Sequence, residues 1–273
     1  MENFLTQFGD IRFDLDVYSR HSDRLTTRVG RLCNPRRSLN KKFVVESTSH
    51  LSENDIHGIL SCFPSTCDTR TRLTQILRTP TEWIAKSATA SDRKSTRNIQ
   101  NAMSQCLPLT GATTYTESEN TLNAHINLYD LPEFDFAENR LLKIVQCQTA
   151  FHELTHALLA DVYLRIEDNS SISMILQHRN RTMDMTELLQ KTREEVCSVG
   201  GVSLYANSYR DLMDDADPLT STRAICEQLC EAVAAYFLEY SVHEDSKTAC
   251  NPLPKGSRLH ELVKFFLSAE QKD

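Results

Sequence analysis

The chain has 273 residues, 40% of them hydrophobic and 25% charged, with a formal net charge of −7 and nine cysteines. That length allows one large domain or two small ones, and the acidic balance argues against a general nucleic-acid binder. No run of about 18 apolar residues exists to cross a membrane, and the N-terminus MENFLTQFGD lacks the basic start and apolar core of a secretory signal.

Read in chain order, residues 1–50 are polar and Arg-rich between Arg28 and Lys42, with a short strand expected at Phe43-Val44-Val45. Ser52 is placed to cap a short helix through Ile56, Ile59 and Leu60, which Pro64 ends. A second amphipathic segment runs from about Thr71 to Leu77; Pro80 breaks it, and Thr81-Glu82-Trp83-Ile84 starts another helix. Residues 87–101 are polar and basic, either a solvated helix face or a loop. Arg70, Arg72, Arg93 and Arg97 read as a solvated basic face.

Pro108 and Gly111 mark a turn, after which Ala112 to Tyr115 reads as a strand. Leu122, Ala124, Ile126 and Leu128 alternate with polar residues up to Tyr129, the period of a half-buried strand. A β-hairpin is therefore expected before a long helix from about Glu138 to Ile166. A helix from Asp184 to Val199 should stop at Gly200-Gly201, where a left-handed cap suits glycine. An acidic loop follows at 211–218, then a helix over Thr222 to Val242 that is apolar nearly all round, and a short terminal helix from Leu259 to Leu267. The expected class is α+β and predominantly helical, with residues 1–105 as a mostly helical lobe of unknown role and 106–273 as the functional region, the two being either separate or continuous.

Chemistry concentrates at residues 152–156, His-Glu-Leu-Thr-His. Two histidines four apart on a helix lie roughly 40° apart around its axis, so both imidazoles reach one ion. Glu153 between them can reach a water on that ion. HExxH on a helix is the pattern of zinc-dependent hydrolases whose Glu is the general base. The flanking residues are apolar, so the polar trio is buried and needs partners.

A hydrolytic zinc needs a third protein ligand. The metzincin spacing is excluded, because Ala157-Leu158-Leu159-Ala160-Asp161-Val162 follows His156 without a further histidine. Glu231 is the expected ligand, because a carboxylate inside an apolar helix is costly unless paired or metal-bound. Glu227, one turn earlier, is an alternative, with Glu231 then as its supporting partner. Glu194 and Glu195 are a further pair, in a more polar helix. Asp161 is placed either to bond a ligand imidazole or to sit on the surface. Tyr205, Tyr209, Tyr236, His178 and His243 are all open as stabilisers of a developing oxyanion. Cys226 and Cys230, one turn apart, read as buried free thiols, and Cys62 and Cys67 are read with the same caution.

The HELTH helix, followed by Glu231-Ala232-Val233-Ala234-Ala235-Tyr236-Phe237, resembles the gluzincin branch of the zincin metallopeptidases. Residues 194–201, EEVCSVGG, resemble the ligand segment of neprilysin-type gluzincins, with Ser198 where an Asp is usual. Ala235 departs from the second acidic residue found in related toxins, and the step from His156 to Glu231 is long for most of these groups. The resemblance covers about residues 110–240. It implies a zincin-like fold, one Zn2+ held by His152, His156 and Glu231, a peptide or protein substrate, and hydrolysis by Glu153 and a water. It also implies a substrate-pairing edge strand above the metal, and Leu122 to Tyr129 sits at the matching place in sequence. A non-peptidase HExxH metalloenzyme, a catalytically silent interaction protein and an effector protease are the rivals. The scattered, odd set of cysteines points to a reducing, intracellular location.

Overall fold

The computed structural model describes residues 18–40, 43–79, 110–118, 121–130, 138–167, 172, 174–242 and 249–272. It is an α+β molecule built on one long central helix. In chain order the elements are α1 (Ser22–Leu32), β1 (Val44–Val45), α2 (Glu53–Cys62), α3 (Thr66–Arg70), β2 (Leu73–Thr79), β3 (Gly111–Ser118), β4 (Thr121–Tyr129), α4 (Asn139–Leu158) and α5 (Ala160–Glu167). Then come β5 (Ile175–His178), β6 (Arg181–Asp184), α6 (Met185–Val199), α7 (Leu204–Ser208), a 3-10 turn (Asp211–Asp214), α8 (Pro218–Leu238), β7 (Ser241–Val242), β8 (Ala249–Cys250), α9 (Arg258–Ser268) and β9 (Glu270–Lys272).

The main sheet has the order β1-β2-β4-β3. β1, β2 and β4 run parallel and β3 runs antiparallel at the edge. In β4 the alternation expected from sequence is present: Leu122, Ala124, Ile126 and Leu128 are buried while the residues between them are not fully so. That buried face lies on α4, whose own residues are buried almost throughout. A helix covered on all sides matches its low amphipathicity. α8 packs along another side of α4, with Phe151 and Phe237 stacked at 4.4 Å between ring centres and Phe63 against both. α1 closes the remaining side of α4 through Leu25, Val29 and Leu32.

Several expectations are corrected. The segment 71–77 is largely strand β2, because its Leu73 and Ile76 are drawn into parallel pairing with Ala124 and Ile126 of β4. The strand Leu122 to Tyr129 is interior, flanked by β2 and β3, so the sheet's edge beside α4 belongs to β3. The long helix divides at Leu159, whose φ of −97° and ψ of 6° end α4 before α5 begins. α8 starts four residues earlier than expected, since Asp217 caps it and Pro218 fills its first turn, and it stops at Glu239 in the left-handed region. The helix after Asp184 runs as expected, with Asp184 as cap and Gly200 at φ +92°. Unforeseen were α1, the β5–β6 hairpin and its pairing with β9. Residues 44–79 supply two strands of the same sheet as β3 and β4. The expected boundary near residue 105, the helix start at 81–84, and Arg93, Arg97 and His243 lie outside the described residues. Among the described residues no helix is long and apolar enough to cross a membrane.

Candidate metal centre

The last two turns of α4 carry His152, Glu153 and His156, which are only 6%, 6% and 8% exposed. The two Nε2 atoms face each other at 3.0 Å. The Glu227 carboxylate from α8 closes a triangle with them, one oxygen 3.2 Å from Nε2 of His152 and the other 3.5 Å from Nε2 of His156. Donors at about 2.0–2.1 Å from a tetrahedral ion stand about 3.3 Å from one another. The three distances straddle that value, the two to Glu227 ending on different oxygens, so the imidazoles and the carboxylate stand close enough to share an ion.

Glu231, one turn along α8, is on the other edge of His152. Its Oε1 lies 2.7 Å from Nδ1, and its Oε2 accepts from Ser203 Oγ at 2.5 Å. The expected third ligand therefore holds the imidazole from behind, and Glu227 is the carboxylate facing both Nε2 atoms. The alternative pair is elsewhere: Glu195 binds Arg258 at 2.9 Å, and Glu194 accepts from Gln190. Asp161 is turned to Arg72 at 3.3 Å and not to an imidazole.

The electrostatics follow from this packing. Burial drives the His152 pKa down, but hydrogen bonds to Glu227 and Glu231 override it, and the imidazolium is strongly favoured. Burial raises the Glu227 carboxyl, yet the charges and hydrogen bonds of His156 and His152 hold it far below the usual carboxylate range.

β3 brings the next layer. Thr113 Oγ1 donates to Glu153 Oε2 at 2.6 Å, and Tyr115 Oη donates to the His156 carbonyl at 3.1 Å. Gly111 lets the strand lie this close: a Cβ there would stand 2.5 Å from Thr149 Cγ2 and 3.1 Å from Glu153 Cγ. Tyr163 Oη is 2.9 Å from His156 Nδ1. Tyr205 stands edge-on to His152 with its hydroxyl 3.3 Å from Glu227 Oε2, and Tyr209 is 3.1 Å behind it.

Of the other residues considered for oxyanion contact, His178 bonds the Ser268 carbonyl and Tyr236 packs on His260, both away from the triangle. Thr113, Tyr163 and Ser203 escaped sequence reading. A Thr in a strand and a Ser capping the five-residue helix α7 are too common to signal a site; only the step of seven from His156 to Tyr163 carries a hint.

Cys230 complicates the donor inventory. His152, His156 and Cys230 form a buried cluster whose donor atoms lie within 4.8 Å of one another, a set that could hold a metal ion. However, the thiol approaches His156 from the Nδ1 edge, at 3.5 Å, where Tyr163 already sits. An ion there would have to displace the phenol, whereas the two Nε2 atoms face Glu227. All described cysteines are free thiols, as read for Cys226, Cys230, Cys62 and Cys67. Arg70 is buried against Phe266 and not part of a solvated face.

The chain matches no family model, and no curated protein or solved structure resembles it significantly. The functional argument rests on the residues themselves.

Proposed function

We propose that the protein is a zinc-dependent metallopeptidase of zincin-like build, with His152, His156 and Glu227 as metal ligands and Glu153 as general base. One observation carries the reading: two buried imidazole Nε2 atoms and a half-buried carboxylate converge from two helices at about the spacing of a tetrahedral site. Ionisable groups gathered in a largely apolar interior each cost free energy unless compensated, and one shared ion would compensate all three.

A zinc ion held there would lower the pKa of a water towards about 7 and polarise a carbonyl. Glu153 takes the proton from the attacking water and returns it to the leaving amine. Thr113 fixes Oε2 of that base, so the proton is handled at a defined place. Tyr205 is the hydroxyl nearest the Glu227 side of the triangle, and we assign it to the developing oxyanion. β3, the antiparallel edge strand above α4, takes the substrate-pairing role first expected of Leu122 to Tyr129.

The test is metal content and peptide hydrolysis in wild type, Glu153→Gln, Glu227→Ala and Glu231→Ala proteins. Glu153→Gln should keep one zinc and lose turnover by more than about a hundredfold. Glu227→Ala should lose the zinc, while Glu231→Ala should bind it about 10–100-fold more weakly. Full zinc in Glu227→Ala, or turnover in Glu153→Gln, would remove the assignment. Zinc without peptide hydrolysis in the wild type would favour a non-peptidase reaction or a silent module.

A further inference from the structure

His156 is contacted on both edges of its ring. Nε2 faces the donor triangle, while Nδ1 faces Tyr163 Oη at 2.9 Å and Cys230 Sγ at 3.5 Å. An imidazole that coordinates through Nε2 is neutral and keeps its proton on Nδ1. That buried N–H requires an acceptor. For His152 the acceptor is the Glu231 carboxylate. For His156 it is a phenol, because Asp161, the next acid after it in the chain, is engaged by Arg72.

Tyr163 reaches this place because α4 stops at Leu159 and α5 starts anew. Its ring is 7% exposed and lies 5.5 Å from Tyr115, whose own hydroxyl binds the His156 carbonyl. The Tyr163 phenol oxygen carries lone pairs and can accept from Nδ1 at 2.9 Å.

We infer that Tyr163 is the positioning residue that fixes the Nδ1-protonated tautomer of His156, with the Cys230 sulfur as a reserve acceptor on the same nitrogen. This rests on the reading of His152, His156 and Glu227 as a metal site. The two imidazoles are thus supported unequally, one by a carboxylate and one by a neutral phenol. Thiolate coordination by Cys230 is the competing arrangement.

The experiment uses the full chain as wild type, Tyr163→Phe, Cys230→Ala and the double variant. Zinc affinity is read by competition with a chromophoric chelator. The His156 nitrogen shifts are read by NMR with and without zinc, and urea unfolding of the metal-free forms reports packing. Cys230→Ala should bind zinc almost as wild type. Tyr163→Phe should bind about tenfold more weakly and the double variant towards about a hundredfold, with the zinc stoichiometry still one. The Nδ1-protonated signal should weaken in step, and more than metal-free stability changes. Wild-type affinity and unchanged His156 shifts in both Tyr163→Phe backgrounds would overturn the inference. So would loss of zinc in Cys230→Ala alone, which makes the thiol a ligand. A wild type that takes up no zinc would instead overturn the metal-site reading itself.

Discussion

Glu227 and Glu231 are the same residue type, one turn apart on one helix, and they meet opposite edges of one imidazole. Sequence alone singled out the stripe they share but ranked Glu231 first, because a carboxylate inside a helix apolar nearly all round is costly unless paired or metal-bound. Which of the two faces the second histidine depends on how α8 is seated along α4, and that is a tertiary fact. Gly111 is the other residue on which the centre turns. Alanine at 111 would push into Thr149 and Glu153, so β3 must shift from α4. We expect Gly111→Ala to lower unfolding free energy in urea by about 1–3 kcal/mol and to depress turnover further by moving Thr113 off the base. A variant with wild-type stability and activity would show that the strand approaches less closely than described. His152, Glu153 and His156 were legible because a five-residue pattern on a helix fixes their geometry locally. Thr113 and Ser203 were not, because each gains its meaning only from a neighbour supplied by a distant segment, and Tyr163 was not, because the break at Leu159 decides whether it reaches His156.

At the level of elements, caps and periodicity were legible and pairings were not. Ser52, Asp184 and Gly200 mark helix ends in sequence and do so in the fold. β2 was obscure because its pattern fits a short helix turn as well as a strand, and parallel pairing to β4 decides the matter. The start of α2 also carries a pH dependence. Asp55 completes a reciprocal cap with Ser52 and binds Lys143 of α4 at 2.7 Å. Burial raises its pKa, but the bonds from Lys143 and Ser52 lower it by more, so the net shift is downward. A folded-state pKa below the unfolded value of about 3.9 stabilises the protein above that pH, and the gain is lost as pH falls through the folded value. Asp55→Asn should therefore be less stable than wild type near neutrality, and the two should converge between about pH 4 and 2. Parallel stability curves over that window would mean that Asp55 and Lys143 do not couple α2 to α4. The carboxylate is partly exposed, so the effect should shrink in high salt.

For the molecule as a whole, the apolar packing around α4 does not depend on an ion. Phe151, Phe237 and Phe63 join α4, α8 and α2 independently of the triangle. The metal-free protein should therefore fold, and zinc should add stability by binding only the folded form. Free zinc at a hundred times its dissociation constant would add about 2.7 kcal/mol, seen as a rise in the thermal midpoint that Glu227→Ala does not share. Equal midpoints with zinc and with chelator would count against the centre. The α+β class was legible from patterning, and the coarse order of strands before the motif helix with it. The placing of residues 44–79 in the same sheet was not, because no local signal announces a long-range strand pairing.

The break at Leu159 separates a long rod from a short one, and the two remain bonded through one phenol and one imidazole. Beyond it, Asp161 ties the second rod to Arg72 at the threshold of β2. Were the proposed centre to take up zinc, its occupancy would be transmitted by these contacts to the backbone of α5. Amide protons of residues 160–167 should exchange with deuterated solvent more slowly once zinc is added, and Tyr163→Phe should abolish that added protection. Uniform slowing across the chain would instead reflect global stabilisation, with no private route from the ion to α5.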